Sequence, residues 1–136
     1  DAEGERVLRE ALQAAPRSAL ATHALGLALI RQKRVPEAVT ALGEAARLAP
    51  DDARFAYVHG VALHDTGRRA EAMKVLAAAL ARHPYDRDIL FALGSYEREA
   101  GRADAARARA TLLRELEPDD PHWARAATAR DVSPAR

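Results

Sequence analysis

The chain has no cysteine, which excludes disulfides, thiolate metal sites, haem attachment through thiols and thiol catalysis within it. Aromatic residues are few: Phe55, Phe91, Tyr57, Tyr85, Tyr96 and Trp123 are the whole set. Strands draw on aromatic and β-branched side chains, so their scarcity beside abundant Ala, the best helix former, points to an all-α chain. No apolar run reaches the roughly 18 residues that a membrane-spanning helix needs, and no charged-then-apolar stretch opens the chain as a secretion signal would. An excess of one charge is missing too, with 21 Lys and Arg against 20 Asp and Glu, interspersed rather than blocked. Nucleic-acid affinity comes largely from phosphate neutralisation by a basic stripe, so nucleic acid is not an expected partner. A soluble chain is expected, in the cytoplasm or the periplasm, and the Ala- and Arg-rich composition fits a GC-rich bacterial source. The 136 residues suffice for one domain or one short stack of repeats. Because the chain starts with Asp1 rather than Met, and within what reads as a helix, it is expected to be a segment of a longer protein.

What is present is a period. Pro16, Pro50, Pro84 and Pro118 follow one another at a constant step of i to i+34. At about 5% Pro per position, the last three coincidences have a chance likelihood on the order of one in ten thousand. Gly26, Gly60 and Gly94 share the period, as do Ala38, Ala72 and Ala106. Two residues after each Pro stands Ser18, Asp52, Asp86 or Asp120, a good helix N-cap whose side-chain oxygen can accept from a first-turn amide. After each cap comes an apolar-periodic stretch, then a turn around Lys33-Arg34, Gly67-Arg68 or Gly101-Arg102, then a second helical stretch that stops before the next Pro. The unit is helix A, turn, helix B, break.

Mid-helix Gly costs up to about 1 kcal/mol against Ala, so Gly26, Gly60 and Gly94 imply a close approach by helix B, with Ala38, Ala72 and Ala106 expected to face them. Leu25, Leu29, Leu42, Leu63, Leu76, Leu80, Leu93, Leu112 and Leu116 are expected to fill the space between layers. Residues 1–17, with Val7, Leu8, Ala11 and Leu12 on one face, align with helix B of a preceding unit. Units then follow at 18–52, 53–86 and 87–120. Pro121 stands at a first helical position, where Pro is tolerated, and residues 121–130, with Trp123, Ala126 and Ala127, are expected to form a closing helix. Residues 131–136 read as a disordered tail.

The run Leu25-Gly26, Ala38, Leu42, Ala45 and Pro50 resembles the tetratricopeptide repeat signature. Gly60, Ala72, Leu76, Ala79 and Pro84 repeat it, and Leu93-Gly94, Ala106 and Pro118 do so again. The usual aromatic at the fourth position is replaced by Thr22, Ala56 or Leu90, and His59 stands for the Leu before the glycine. The third unit has Ala110 and Leu113 where a large and then a small residue are usual. The resemblance implies an α-solenoid, a right-handed superhelix of antiparallel helix pairs, that acts as a protein-interaction module whose A helices line a concave groove. Carried over position by position, the groove would present Leu20, His23, Leu27, Ile30 and Arg31, then Arg54, Tyr57, Val61, His64 and Asp65, then Asp88, Phe91, Ser95, Arg98 and Glu99. His23, Tyr57 and Phe91 form a row of rings one repeat apart, with Leu27, Ile30 and Val61 beside it, suited to the apolar face of a helix or an extended peptide. The same rings could instead pack between neighbouring A helices. The family's carboxylate clamp would need Lys, Asn and Arg where this chain has His23, Leu27, Val58, Asp88 and Ala92, so that form of recognition is not expected.

No reaction class is legible. The chain lacks a Gly-rich phosphate loop, a His-Glu-x-x-His pair and a Gly-x-Ser-x-Gly turn. His59 and His64 are five apart, on different sides of a helix, and do not make the i, i+4 metal pair. His23, His83 and His122 read as surface or groove residues, and Glu97, Glu99 and Glu115 as a solvated helix face. An enzyme is not expected, and neither is a cofactor or a metal. The alternative to peptide binding is a structural spacer or a homodimer formed through the apolar stripe of the first helix.

Overall fold

The computed structural model describes residues 2–117, and the expected Asp120 cap, closing helix at 121–130 and tail at 131–136 lie outside them. The described residues form seven helices: α1 (Ala2–Ala14), α2 (Ala19–Arg31), α3 (Val35–Leu48), α4 (Ala53–Asp65), α5 (Arg69–Arg82), α6 (Arg87–Glu99) and α7 (Ala103–Leu116). Helices α2, α4 and α6 are the A helices, and α3, α5 and α7 the B helices. Each A helix packs on its own B helix, and α3 and α5 each pack on the next A helix. The result is an all-α solenoid.

Local chemistry sets the ends of each helix. The Ser18 hydroxyl accepts from the Ala21 amide at 3.1 Å, the Asp52 carboxylate from the amides of Arg54 and Phe55, and the Asp86 carboxylate from the Ile89 amide at 2.9 Å. Each of these bonds satisfies a donor the helix itself leaves open. At the other end of the A helices, Lys33, Gly67 and Gly101 all take left-handed backbone, with φ of 61°, 84° and 80°. The reversal lets the amides of Arg34, Arg68 and Arg102 donate back to the carbonyls of Leu29, Leu63 and Glu97. The B helices begin without a side-chain cap. In α3 and α5 a first-turn acid stands in its place: Glu37 and Glu71 pair with Arg34 and Arg68 through two hydrogen bonds each.

The core runs along the stack in successive layers, and its largest fully buried side chains are Leu29, Leu42, Leu63, Leu76, Ile89, Leu90 and Leu93. Close approach at the glycines is present, but the facing residue differs from expectation. A Cβ on Gly26 would lie 2.6 Å from Leu42 Cδ2, and one on Gly60 would lie 2.5 Å from Leu76 Cδ2. Ala38 instead joins Leu25 and Leu29 in a buried cluster. Leu116 is exposed at the end of α7 rather than packed between layers. Helix α1 contributes Leu8 and Leu12 to the cluster of Leu25, Leu29 and Ala38, while Val7 and Ala11 stay exposed. Glu5 fixes α1 further, pairing with Arg9 at 2.8 Å and reaching Arg34 at 2.6 Å.

One acid does not behave as the sequence suggests. Glu97, expected on a solvated face, is 5% exposed and accepts two hydrogen bonds from the Arg109 guanidinium, at 3.1 and 3.2 Å. It stands where the earlier units bury Leu29 and Leu63, so a buried carboxylate there requires a partner, and Arg109 supplies one from across the helix pair.

Candidate partner-binding face

The residues carried over as a groove recur on α2, α4 and α6 at spacings of three, four and three, which keeps them on one stripe of each helix. Helices α4 and α6 touch directly, and ring contacts join α2 to α4, so the stripes form one surface. On α2, Leu20 is 72% exposed, Ile30 is exposed and Leu27 is half-buried. On α4, Arg54 is exposed, and Tyr57, Val61 and His64 are half-buried. On α6, Asp88, Phe91 and Arg98 are exposed and Ser95 is half-buried.

The ring row is not a uniform lining. His23 is 5% exposed, stacked on Phe55 with centroids 4.3 Å apart and planes at 18°. Among the described residues neither of its ring nitrogens finds a hydrogen-bond partner. Burial holds its pKa below the usual 6.5, the charge of Arg54 pushes the same way, and Asp52 opposes. His23 is therefore a layer contact and not an open surface residue. Tyr57 packs against the cluster of Met73, Leu76, Ile89 and Leu93. What remains open and apolar is Leu20, Ile30 and Phe91, with Leu27 and Val61 half-buried between them. Leu27 also touches the cluster of Val39, Leu42, Ala62 and Leu63, so part of it belongs to the core.

A second ring pair marks the far end of α4. His64 lies flat on Tyr96, with centroids 3.7 Å apart and planes at 2°, and its Nε2 is 2.8 Å from Glu99 Oε2. Asp65 approaches Nδ1 at 3.6 Å. The Tyr96 phenol is pushed up to about 12, first by burial and then by the negative charges of Asp65 and Glu99 and the Tyr57 phenol. It stays neutral and can serve as a donor but not as a base. His59, on the other side of α4, packs its ring where a Cβ on Gly43 would lie 2.9 Å from Nε2, and burial lowers its pKa. Among the described residues no group of three or more His, Cys, Asp or Glu converges as a metal site, and no helix is long and apolar enough to cross a membrane.

Phe55 and Tyr96, which stack on His23 and His64, carry no marking in the sequence as site residues. A signal existed for the rings: both stacked pairs, His23–Phe55 and His64–Tyr96, stand at i and i+32, two positions short of the period.

The comparisons with known proteins agree with this architecture. One tetratricopeptide repeat model matches residues 2–53 and again 24–87, and a second matches residues 63–129. No curated protein matches the chain in sequence. Among solved structures, a crystal structure of MamA superposes with a TM-score of 0.74 at 21% identity, covering 84% of this chain and 67% of that one. MamA from Desulfovibrio magneticus RS-1 gives 0.75 at 21% identity, with 89% and 68% covered. YrrB, described as a tetratricopeptide protein with an unusual peptide-binding site, gives 0.76 at 20% identity, with 91% and 64% covered.

Proposed function

The chain belongs to the tetratricopeptide repeat family, and on that premise we propose that it is a non-enzymatic scaffold that holds a peptide or protein segment against its A helices. The fold supports a protein-interaction scaffold. The observation that carries the finer reading is the open apolar strip of Leu20, Ile30 and Phe91, with Leu27 and Val61 half-buried between them, rimmed by the exposed charges of Arg54, Asp88 and Arg98. Such a strip suits the apolar side of an amphipathic helix or alternate residues of an extended peptide, with the rim setting orientation. The peptide-binding site named for YrrB is in keeping with this use of the fold.

A peptide-library pull-down tests the reading. The wild-type chain is expected to capture apolar-faced peptides, and Ile30→Glu with Val61→Glu is expected to reduce capture at least tenfold while helical circular dichroism stays unchanged. Equal capture by wild type and variant would move the site off this face.

A second reading, self-association, has its own observation: Val7 is 51% exposed on α1, and none of the residues of α1 is fully buried. Light scattering separates the two. A dimer that Val7→Glu returns to monomer would assign that helix to assembly.

A further inference from the structure

We propose that the seam between α2 and α4 is a proton-operated latch on the partner-binding face: neutral His23, stacked on Phe55, holds the apolar residues of the two helices in one surface, and a proton on the ring releases them. His23 stands on the same stripe of α2 as Leu20, Leu27 and Ile30, but its ring is buried in the seam together with that of Phe55. The second and third units have Tyr57 and Phe91 at this register. A phenyl ring would stack as well and leave no polar atom behind. Imidazole brings two nitrogens that find no partner among the described residues, and burying them unpaired costs stability. What imidazole adds is a proton site that works near neutral pH.

A proton on that ring has no place to settle in the closed seam. Imidazolium carries two N–H donors, and neither nitrogen meets an acceptor there. Among the described elements packed on α2, α4 with its cap is the one that sets charges against the ring: Arg54 repels the proton, and Asp52 attracts it less strongly. Asp52 Oδ1 already accepts from the amides of Arg54 and Phe55. Charging the ring is therefore relieved by taking it out to water, which uncovers Phe55 and parts the two helices. The seam between α4 and α6 is built the other way. His64 lies on Tyr96 by the same step of i to i+32, but its Nε2 is 2.8 Å from Glu99 and its Nδ1 faces Asp65 at 3.6 Å, so acceptors stand at that ring. A segment that spans Ile30 and Val61 binds the closed first seam and holds His23 neutral, and a proton weakens that binding by the same factor. This consequence rests on the peptide-binding reading; the movement of the seam does not.

The chain has no cysteine, so nitroxide pairs can be placed on it one seam at a time. Thr40→Cys with Lys74→Cys spans the first seam from exposed positions on α3 and α5, and Lys74→Cys with Ala108→Cys spans the second in the same register. Between pH 7.5 and pH 5 the distances of the first pair are expected to lengthen and broaden while those of the second stay fixed. His23→Phe, which supplies the ring found at Phe91, is expected to hold the first pair at its pH 7.5 distance. Peptides captured by the wild-type chain at pH 7.5 are expected to bind several-fold more weakly at pH 5, and equally at both in His23→Phe. Should that variant fail to fold, the His23 ring proton resonance of the wild-type chain is expected to titrate over the range in which the first pair lengthens. A first pair that does not move, or a ring that titrates elsewhere, would overturn the latch. So would a first pair that still opens in folded His23→Phe, because the effect would then belong to His59 on the other side of α4. Capture that is equal at both pH values while the seam moves would overturn the coupling to binding. No capture at pH 7.5 would overturn the peptide-binding reading instead, with the labels still deciding the latch.

Discussion

The first two helix pairs and the third are built on the same frame and held together differently. In α2–α3 and α4–α5, Leu42 and Leu76 project from the B helix onto a glycine of the A helix, and Leu29 and Leu63 fill the space beside them, all but excluded from solvent. In α6–α7 the corresponding residues are Ala110 and Glu97, and Arg109 replaces Ala41 and Val75. A Cβ on Gly94 would lie 3.1 Å from Arg109 Cβ and would meet no leucine. α7 accordingly buries only Leu113. Two pairs are thus closed by shape alone, and the third adds a charge pair to the packing of Leu90 on Leu113. Shape complementarity resists loosening because every contact is lost together, whereas a buried ion pair offsets its own desolvation with little left over. The repeat frame, meaning caps, turns and the A-to-B approach, therefore tolerates a change in what fills it.

Removing half of the charge pair should have the largest effect. Arg109→Ala leaves Glu97 buried without a donor and is expected to destabilise by about 2 to 3 kcal/mol. Glu97→Leu with Arg109→Val rebuilds the packing of the second unit, where Leu63 and Val75 stand, and is expected to be neutral or to stabilise by about 1 kcal/mol. Thermal or urea melts read both. A double variant as unstable as the single one would mean the third pair needs the ions for more than mutual compensation. Next in size is a glycine comparison. Gly60→Ala places a methyl against Leu76 Cγ and Cδ2, at 2.6 and 2.5 Å. Overpacking there outweighs the helix gain and is expected to cost about 2 kcal/mol. Gly94→Ala meets the flexible Arg109 stem at 3.1 and 3.4 Å and the Ala106 carbonyl at an ordinary 3.8 Å, and is expected to be near neutral. If both variants melt alike, the leucine approach does not distinguish the layers.

Much of the frame was legible because its causes are local. Ser18, Asp52 and Asp86 act on amides two or three residues away, and Gly67 and Gly101 answer a backbone requirement at their own positions. What escaped the sequence depends on neighbours further off. His23 is buried by Phe55 from the next pair, and Glu97 by the turn to α7 that brings Arg109 across. The period predicts that Gly26 faces helix B but not the rotation of that helix, and this is why Leu42 rather than Ala38 meets it. The open strip was legible in part: Ile30 and Val61 are accessible, and the ring expected to lead the row is not.

The smallest effect is a dependence on pH confined to the first two pairs. His23 and His59 are both held below 6.5 by burial, with Arg54 and Arg68 adding to it. A ring whose folded pKa is lower than its unfolded one binds its proton more readily in the unfolded chain. The stability it contributes is therefore full above 6.5 and falls as pH drops from 6.5 toward the folded value. The carboxylates of Glu5, Glu37, Glu44 and Glu71 are lowered by their arginine partners from 4.5, and so their own losses come at more acid pH. Between the two ranges the rings act alone, with a slope of at most about 1.4 kcal/mol per pH unit for each. Thermal midpoints are expected to fall as pH is lowered from about 7 to 5. His23→Phe with His59→Leu, which supply the residues found at Phe91 and Leu93, should flatten the dependence. Hydrogen exchange would place it: amides of α2 to α5 should open faster at pH 5, while α6 and α7, which have no buried histidine, should not. A uniform acceleration along all seven helices would show that the layers unfold as one unit, and that the contrast between shape and charge stops at packing and does not reach cooperativity.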